Sequence, residues 1–128
     1  MSTMTVYYES TILRAGEEAQ DMVDGGVVIL YADPIPDALE SVSVVHSPAA
    51  KPEREVRVGD IFRLGDAEIE LTAVGERAHE NLQTLGHIVV YLNPDEGTTL
   101  LPGAVHGRGT VSLPAAGATL TLSGGSTT

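Results

Sequence analysis

The chain has no cysteine and no tryptophan, a single phenylalanine and, at Lys51, a single lysine among its 128 residues. Without cysteine there is no disulfide framework, no thiolate nucleophile and no cysteine-ligated zinc. Seven basic residues against eighteen acidic ones give a formal net charge of −11. That is the wrong sign for a nucleic-acid backbone, which is held by clustered Lys and Arg, and for an anionic membrane surface. No apolar run approaches the length of a membrane span; the longest, "VVILYA" and "HIVVYL", have the length of a strand. The N-terminus lacks the basic-then-apolar order of a secretory signal, so a cytoplasmic, non-embedded protein is expected. With no G-x-S-x-G elbow and no Walker-type G-x-x-x-x-G-K-[ST], the chain offers neither a conventional serine hydrolase nor direct ATP use.

What is present describes one folded domain. Hydrophobic residues make up 42% and charged residues 20%, and the length suits a single core. Segments 5–13 ("TVYYESTIL"), 27–32 ("VVILYA"), 42–46 and 67–74 ("AEIELTAV") read as strands, the last with Ala67, Ile69, Leu71 and Ala73 on one face. "REVRVGDIFRLGD" predicts two short strands, and "HIVVYLN", "GAVHGRGTVSL" and "ATLTLS" predict more. Glu68 and Glu70 then fall on the solvated side of their strand. Helix is confined to residues 76–85, where Ala78, Leu82 and Leu85 are spaced for one face and Gly86 stops it, and to a turn at "DALES". "GEEAQDMVDGG" is a short helix or a loop. The fold class expected is all-β, a small closed or partly open β-barrel of short strands with one or two short helices. One domain spans residues 1–123 and a flexible tail residues 124–128.

Four histidines carry the possible chemistry: His46, His79, His87 and His106. Imidazole is largely neutral, and so nucleophilic, near pH 7. His46 ends an apolar strand in "SVVHSP", His87 follows the helix-ending Gly86, and His106 lies among glycines in "PGAVHGRG". His79, beside Glu76 and Glu80, reads as an exposed helix residue without function. For each of the others the alternative is a hydrogen-bonded structural imidazole. A metal site is a further alternative: "LPGAVH" is like the P-x-G-x-x-H half of the cupin signature, but the chain has no His-x-His to complete it.

Thr72-Ala73-Val74-Gly75, Ala78, Asn81-Leu82, Leu85-Gly86-His87, and later Pro102-Gly103 with Val105-His106 form one composite pattern. In it the chain resembles the glucitol/sorbitol-specific enzyme IIA component of the bacterial phosphoenolpyruvate-dependent sugar phosphotransferase system. The likeness continues upstream through "TVYYESTILRAG" and "LESVSVVH", and so covers nearly the whole chain. It implies a cytoplasmic barrel that takes a phosphoryl group from phospho-HPr onto a histidine and passes it to the IIB part of a sorbitol permease (IIB/IIC), with no cofactor or metal. In that family the carrier histidine ends an apolar strand a few residues after a Leu-Glu pair. Leu39-Glu40 followed by Val44-Val45-His46 matches, which puts the phosphohistidine at His46. The segment that follows, Ser47-Pro48-Ala49-Ala50, departs from the polar, sometimes histidine-containing stretch of relatives.

The same reading makes His87 and His106 the candidates to stabilise the phosphoryl group, one of them beside His46, with the backbone at Gly103 and Gly107 as further contacts. An apolar patch around His46 rimmed by carboxylates is expected, since charge steering suits brief encounters between carriers. Exposed edge strands would allow a homodimer. A regulatory or interaction barrel without a nucleophile, and a cupin-like metal protein, remain the alternatives.

Overall fold

The computed structural model describes residues 4–125 as eight strands and three short helices. In chain order they are β1 (Met4–Ala15), α1 (Ala19–Asp24), β2 (Val27–Ala32), α2 (Asp37–Glu40), β3 (Val44–Pro48), β4 (Ile61–Leu64), β5 (Ala67–Val74), α3 (Ala78–Leu85), β6 (Ile88–Leu92), β7 (Ala104–Arg108) and β8 (Thr119–Gly125). The strands close into a barrel in the order β1-β3-β2-β6-β7-β5-β4-β8. The pairs β2–β3 and β6–β7 are parallel and the others antiparallel. The all-β expectation is met by the closed form, with three helices in place of one or two. Among the described residues closure leaves no open sheet edge, which removes the ground for a strand-edge dimer.

Inward side chains fill the barrel. Phe62, Ile12, Leu30, Leu64, Ile69, Leu71, Ile88, Leu120 and Leu122 are all fully buried, each contributing on the order of 1.5–3 kcal/mol by leaving water. Strict alternation is broken twice in ways that matter. On β1 the register with β8 slips between Val6 and Tyr8, so Tyr7 is an extra residue and both tyrosines are buried. On β5 the register slips between Leu71 and Ala73. Beyond that bulge Val74, rather than Ala73, packs against the core with Ala67, Ile69 and Leu71.

One expected strand is absent and another stops short. Residues 56–59 turn instead of extending, because the Asp60 carboxylate gathers the chain around itself: it accepts from Tyr7 Oη, from the Arg57 backbone N–H and from both terminal nitrogens of Arg54. The run after Arg108 leaves the sheet at Gly109, whose N–H and carbonyl are both bonded by the Asn93 side chain. β8 continues to Gly125, so two residues of the expected tail pair with β1, and residues 126–128 lie outside the described residues.

Helix α3 closes one end of the barrel. Its buried residues are Ala78 and Leu82, while Leu85 stays 46% exposed. Gly86 ends it in the left-handed conformation, φ 63°. Any side chain at Gly86 would collide with Ala32, whose Cβ lies 2.3 Å from where a Cβ would stand. This close approach brings the Gly86 carbonyl down to the end of β2 and β3.

Candidate functional site

His46 lies on the inner face of β3, level with Ile12 of β1 and Ala32 of β2. It is 0% exposed. The Gly86 carbonyl stands 2.7 Å from Nε2. A carbonyl only accepts, so Nε2 carries the proton and Nδ1 the lone pair. Ser10, two positions from Ile12 along the same face of β1, donates its hydroxyl to Nδ1 at 2.6 Å. Burial pushes the His46 pKa below its ordinary value, against a smaller opposing effect of the Gly86 bond. The ring is therefore neutral near pH 7, desolvated and fixed in one tautomer.

Tyr8, one further step along that face, sets its ring edge-on to His46, with centroids 6.4 Å apart and planes at 77°. It is 3% exposed, and its hydroxyl is enclosed with no hydrogen-bond partner among the described residues. Burial pushes its pKa up to about 12, so the phenol keeps its proton.

Over this end of the barrel lies a cavity of about 530 Å³. Tyr8, Ala32, Pro48 and Gly86, which surround His46, are on its wall, together with Ile35, Leu82 and the exposed Leu85. Asp33 and Lys51 are its only charged lining residues. Beside it, Arg14 pairs with Glu40 at 2.7 Å and Asp33 at 3.4 Å. Such a mouth is apolar with carboxylates near its edge, and the imidazole lies beneath its wall on the Gly86 side.

The remaining histidines occupy separate environments. His87 follows Gly86, so its backbone adjoins the His46 contact, but its ring turns outward. There Nδ1–H donates to the Leu30 carbonyl at 3.1 Å and the ring packs against Tyr31 at 4.6 Å between centroids. His106 pairs with Tyr91 of β6, and Tyr91 with Val27 at the start of β2, whereas His46 is level with Ala32 at its end. Its ring lies edge-on to Tyr91, and its Nε2 is buried without a partner. His79 is half-buried, not exposed, with Nδ1 enclosed. Gly107 faces the core, where a Cβ would meet Ile69 at 2.3 Å, and Gly103 makes room for Asn81. Both are packing positions. Among the described residues no three His, Asp or Glu side chains gather as a metal-binding group, whereas a cupin-like centre needs converging imidazoles.

Sequence reasoning missed Ser10, Tyr8 and the Gly86 carbonyl as partners of His46. A signal for the first was there: in "YESTI" a polar residue takes the inward position between Tyr8 and Ile12.

The closed barrel that carries this histidine has a solved relative. A PTS system IIA component from Enterococcus faecalis V583, solved by crystallography, superposes with a TM-score of 0.72 over 88% of this chain and 96% of that one, at 24% identity. At that identity the likeness speaks for the fold. The family model described as "PTS system glucitol/sorbitol-specific IIA component" matches residues 7–121, and the chain belongs to that family. It is also similar to the PTS system glucitol/sorbitol-specific EIIA components of Shigella flexneri and Escherichia coli (strain K12). With each it shares 34% identity over 111 residues, 84% of this chain and 86% of the relative.

Proposed function

We propose that this member of the phosphotransferase system takes a phosphoryl group from phospho-HPr onto His46 and delivers it to the IIB component of a sorbitol permease, working in the cytoplasm. The observation that carries this reading is a neutral imidazole, held by two hydrogen bonds, beneath the apolar mouth on β3, the strand that follows Leu39-Glu40. Membership of a phosphotransferase-system IIA family supports a phosphocarrier role.

Access favours Nε2 as the attacking atom. Its partner Gly86 lines the cavity, whereas Ser10, the partner of Nδ1, is 1% exposed and does not. Phosphorylation at Nε2 requires the Gly86 carbonyl to withdraw and the ring proton to move to Nδ1. Ser10 tolerates that change, because a hydroxyl that donates to Nδ1 can turn and accept from Nδ1–H. The Nε2 lone pair then forms the new N–P bond as the N–P bond of the donor phosphohistidine breaks, its electron pair returning to the donor imidazole. Nδ1 keeps its proton, held by Ser10, while the positive charge develops on the ring. No nucleotide enters, since the donor and acceptor in this reading are both proteins.

The deciding experiment is labelling by phosphoenolpyruvate with enzyme I and HPr. The expected result is an acid-labile, alkali-stable phosphate on the native chain and none on His46→Ala. A second reading, a regulatory barrel in which His46 is structural, draws on the full burial of the ring and the engagement of both its nitrogens. Labelling that persists in His46→Ala, or that never occurs in the native chain, would overturn the carrier at His46.

A further inference from the structure

We infer that Tyr8 is a catalytic residue of the carrier, the donor that its hydroxyl supplies to the phosphoryl oxygens on His46. The inference rests on the phosphocarrier reading above and replaces the expected histidine partners with a residue of a different kind.

Tyr8 is 97% buried by its 3% exposure, yet its hydroxyl has nothing to bond to. A buried donor without a partner costs stability, and a phenylalanine would fill the same space without that cost. The ring stands edge-on to His46 and forms part of the wall of the only cavity among those described that is also lined by Gly86, the partner of Nε2. The ring that carries this unengaged donor borders both the imidazole and the cavity through which an anion would reach that nitrogen. The burial that leaves the hydroxyl orphaned also keeps it protonated, with its pKa near 12. Lys51 lines the same cavity and is the chain's single lysine, so the site also has a cation in its wall.

The alternatives are worse placed. His87 spends its Nδ1–H on Leu30 and stacks outward on Tyr31. His106 lies beside Tyr91, away from the end of β2 that His46 adjoins. Donors aimed at charge that appears only during transfer are the ones that accelerate it, because they need no rearrangement when it forms. An orphan hydroxyl meets that condition, and a hydroxyl already bonded to the protein does not.

The test is Tyr8→Phe, which keeps the ring and its contact with His46. Initial rates of phosphoryl uptake from phospho-HPr are compared for the native chain, Tyr8→Phe and His46→Ala. The expected result is a fall of about 100-fold in Tyr8→Phe, the usual loss for one such donor, with a melting temperature no lower than that of the native chain. An unchanged rate in Tyr8→Phe overturns the role of Tyr8. Should the variant lose its fold, the 13Cζ resonance of Tyr8 in the native chain decides instead. It shifts on phosphorylation if the hydroxyl takes up a phosphoryl oxygen, and an unmoved resonance overturns the inference. Failure of the underlying reading looks different, because then His46→Ala labels as the native chain does, whatever Tyr8→Phe shows.

Discussion

Tyr7 and Tyr8 are neighbours on β1, both buried, and their hydroxyls meet opposite conditions. Tyr7 donates to Asp60 at 2.7 Å, while its ring lies under the Arg54 guanidinium at 4.0 Å. That guanidinium reaches back to both Asp60 oxygens, at 2.9 and 3.1 Å, and the Arg57 N–H donates to the same carboxylate. Tyr8, one residue on, has a ring neighbour in His46 and no partner for its hydroxyl. The bulge at Tyr7 sends the two side chains to different surroundings from adjacent positions. One side chain is thus tied into a satisfied polar network and its neighbour is left with capacity to spare. A satisfied network rigidifies, and an unsatisfied donor beside a nucleophile is a place for a ligand.

The comparison breaks most sharply at Asp60. Asp60→Ala strands the Tyr7 hydroxyl and the half-covered Arg54 guanidinium at once, and the expected loss is about 3 kcal/mol, the lower end for removing one member of a buried pair. Tyr7→Phe removes one donor and leaves Asp60 its Arg54 and Arg57 partners, so about 1 kcal/mol is expected. Urea unfolding measures both. Phosphoryl uptake per folded molecule is unaffected in either, and a loss of uptake at full stability would join the two regions that the structure separates.

A smaller effect comes from protons at His46. Burial holds the folded-state pKa of His46 and of His87 below 6.5. The unfolded chain therefore takes up protons first as pH falls, so stability is complete above the unfolded value and declines below about 6.5 toward the lower folded values. The slope is at most about 1.4 kcal/mol per pH unit for each group. Unfolding midpoints followed from about pH 7.5 to about pH 5.5 should fall in the native chain and fall less steeply in His46→Gln, which removes one titrating group and leaves His87. Equal slopes would mean that His46 is charged in the folded barrel, contrary to its enclosure between Ser10 and Gly86.

How much of this could be read from the sequence depended on range. β2 and β5 were legible at their bounds because apolar runs and alternation are local signals, and the left-handed stop at Gly86 is a local signal too. The bulge on β5 was not, since alternation carries no mark of an inserted residue, and it exchanged Ala73 for Val74 at the core. That His46 belongs to the strand after Leu39-Glu40 was visible, but not that this strand, β3, runs on through Ser47 and Pro48, nor which partners the ring has. Ser10 lies 36 residues before it and Gly86 40 residues after it, and only barrel closure brings them together. Glycines beside His106 suggested room for a ligand, yet the room at Gly107 is filled by Ile69 and Val90. Asp60 turned an expected strand into a wrapped loop, because a carboxylate that gathers the distant Tyr7 hydroxyl together with Arg54 and the Arg57 N–H outweighs the strand preference of "REVRV".

The smallest expected effect is the most discriminating. If the Tyr8 hydroxyl is an orphan in the resting barrel, Tyr8→Phe removes a desolvated polar group and no hydrogen bond. Its stability should then match the native chain or exceed it by about 0.5 kcal/mol. Tyr7→Phe, on the same strand, must lose stability by the argument above. The two conservative changes, one residue apart, are thus expected to differ in sign, and urea midpoints under identical conditions give the comparison directly. A loss in Tyr8→Phe as large as in Tyr7→Phe would mean that both hydroxyls are engaged in the folded protein, and the site would hold no donor in reserve for a phosphoryl group.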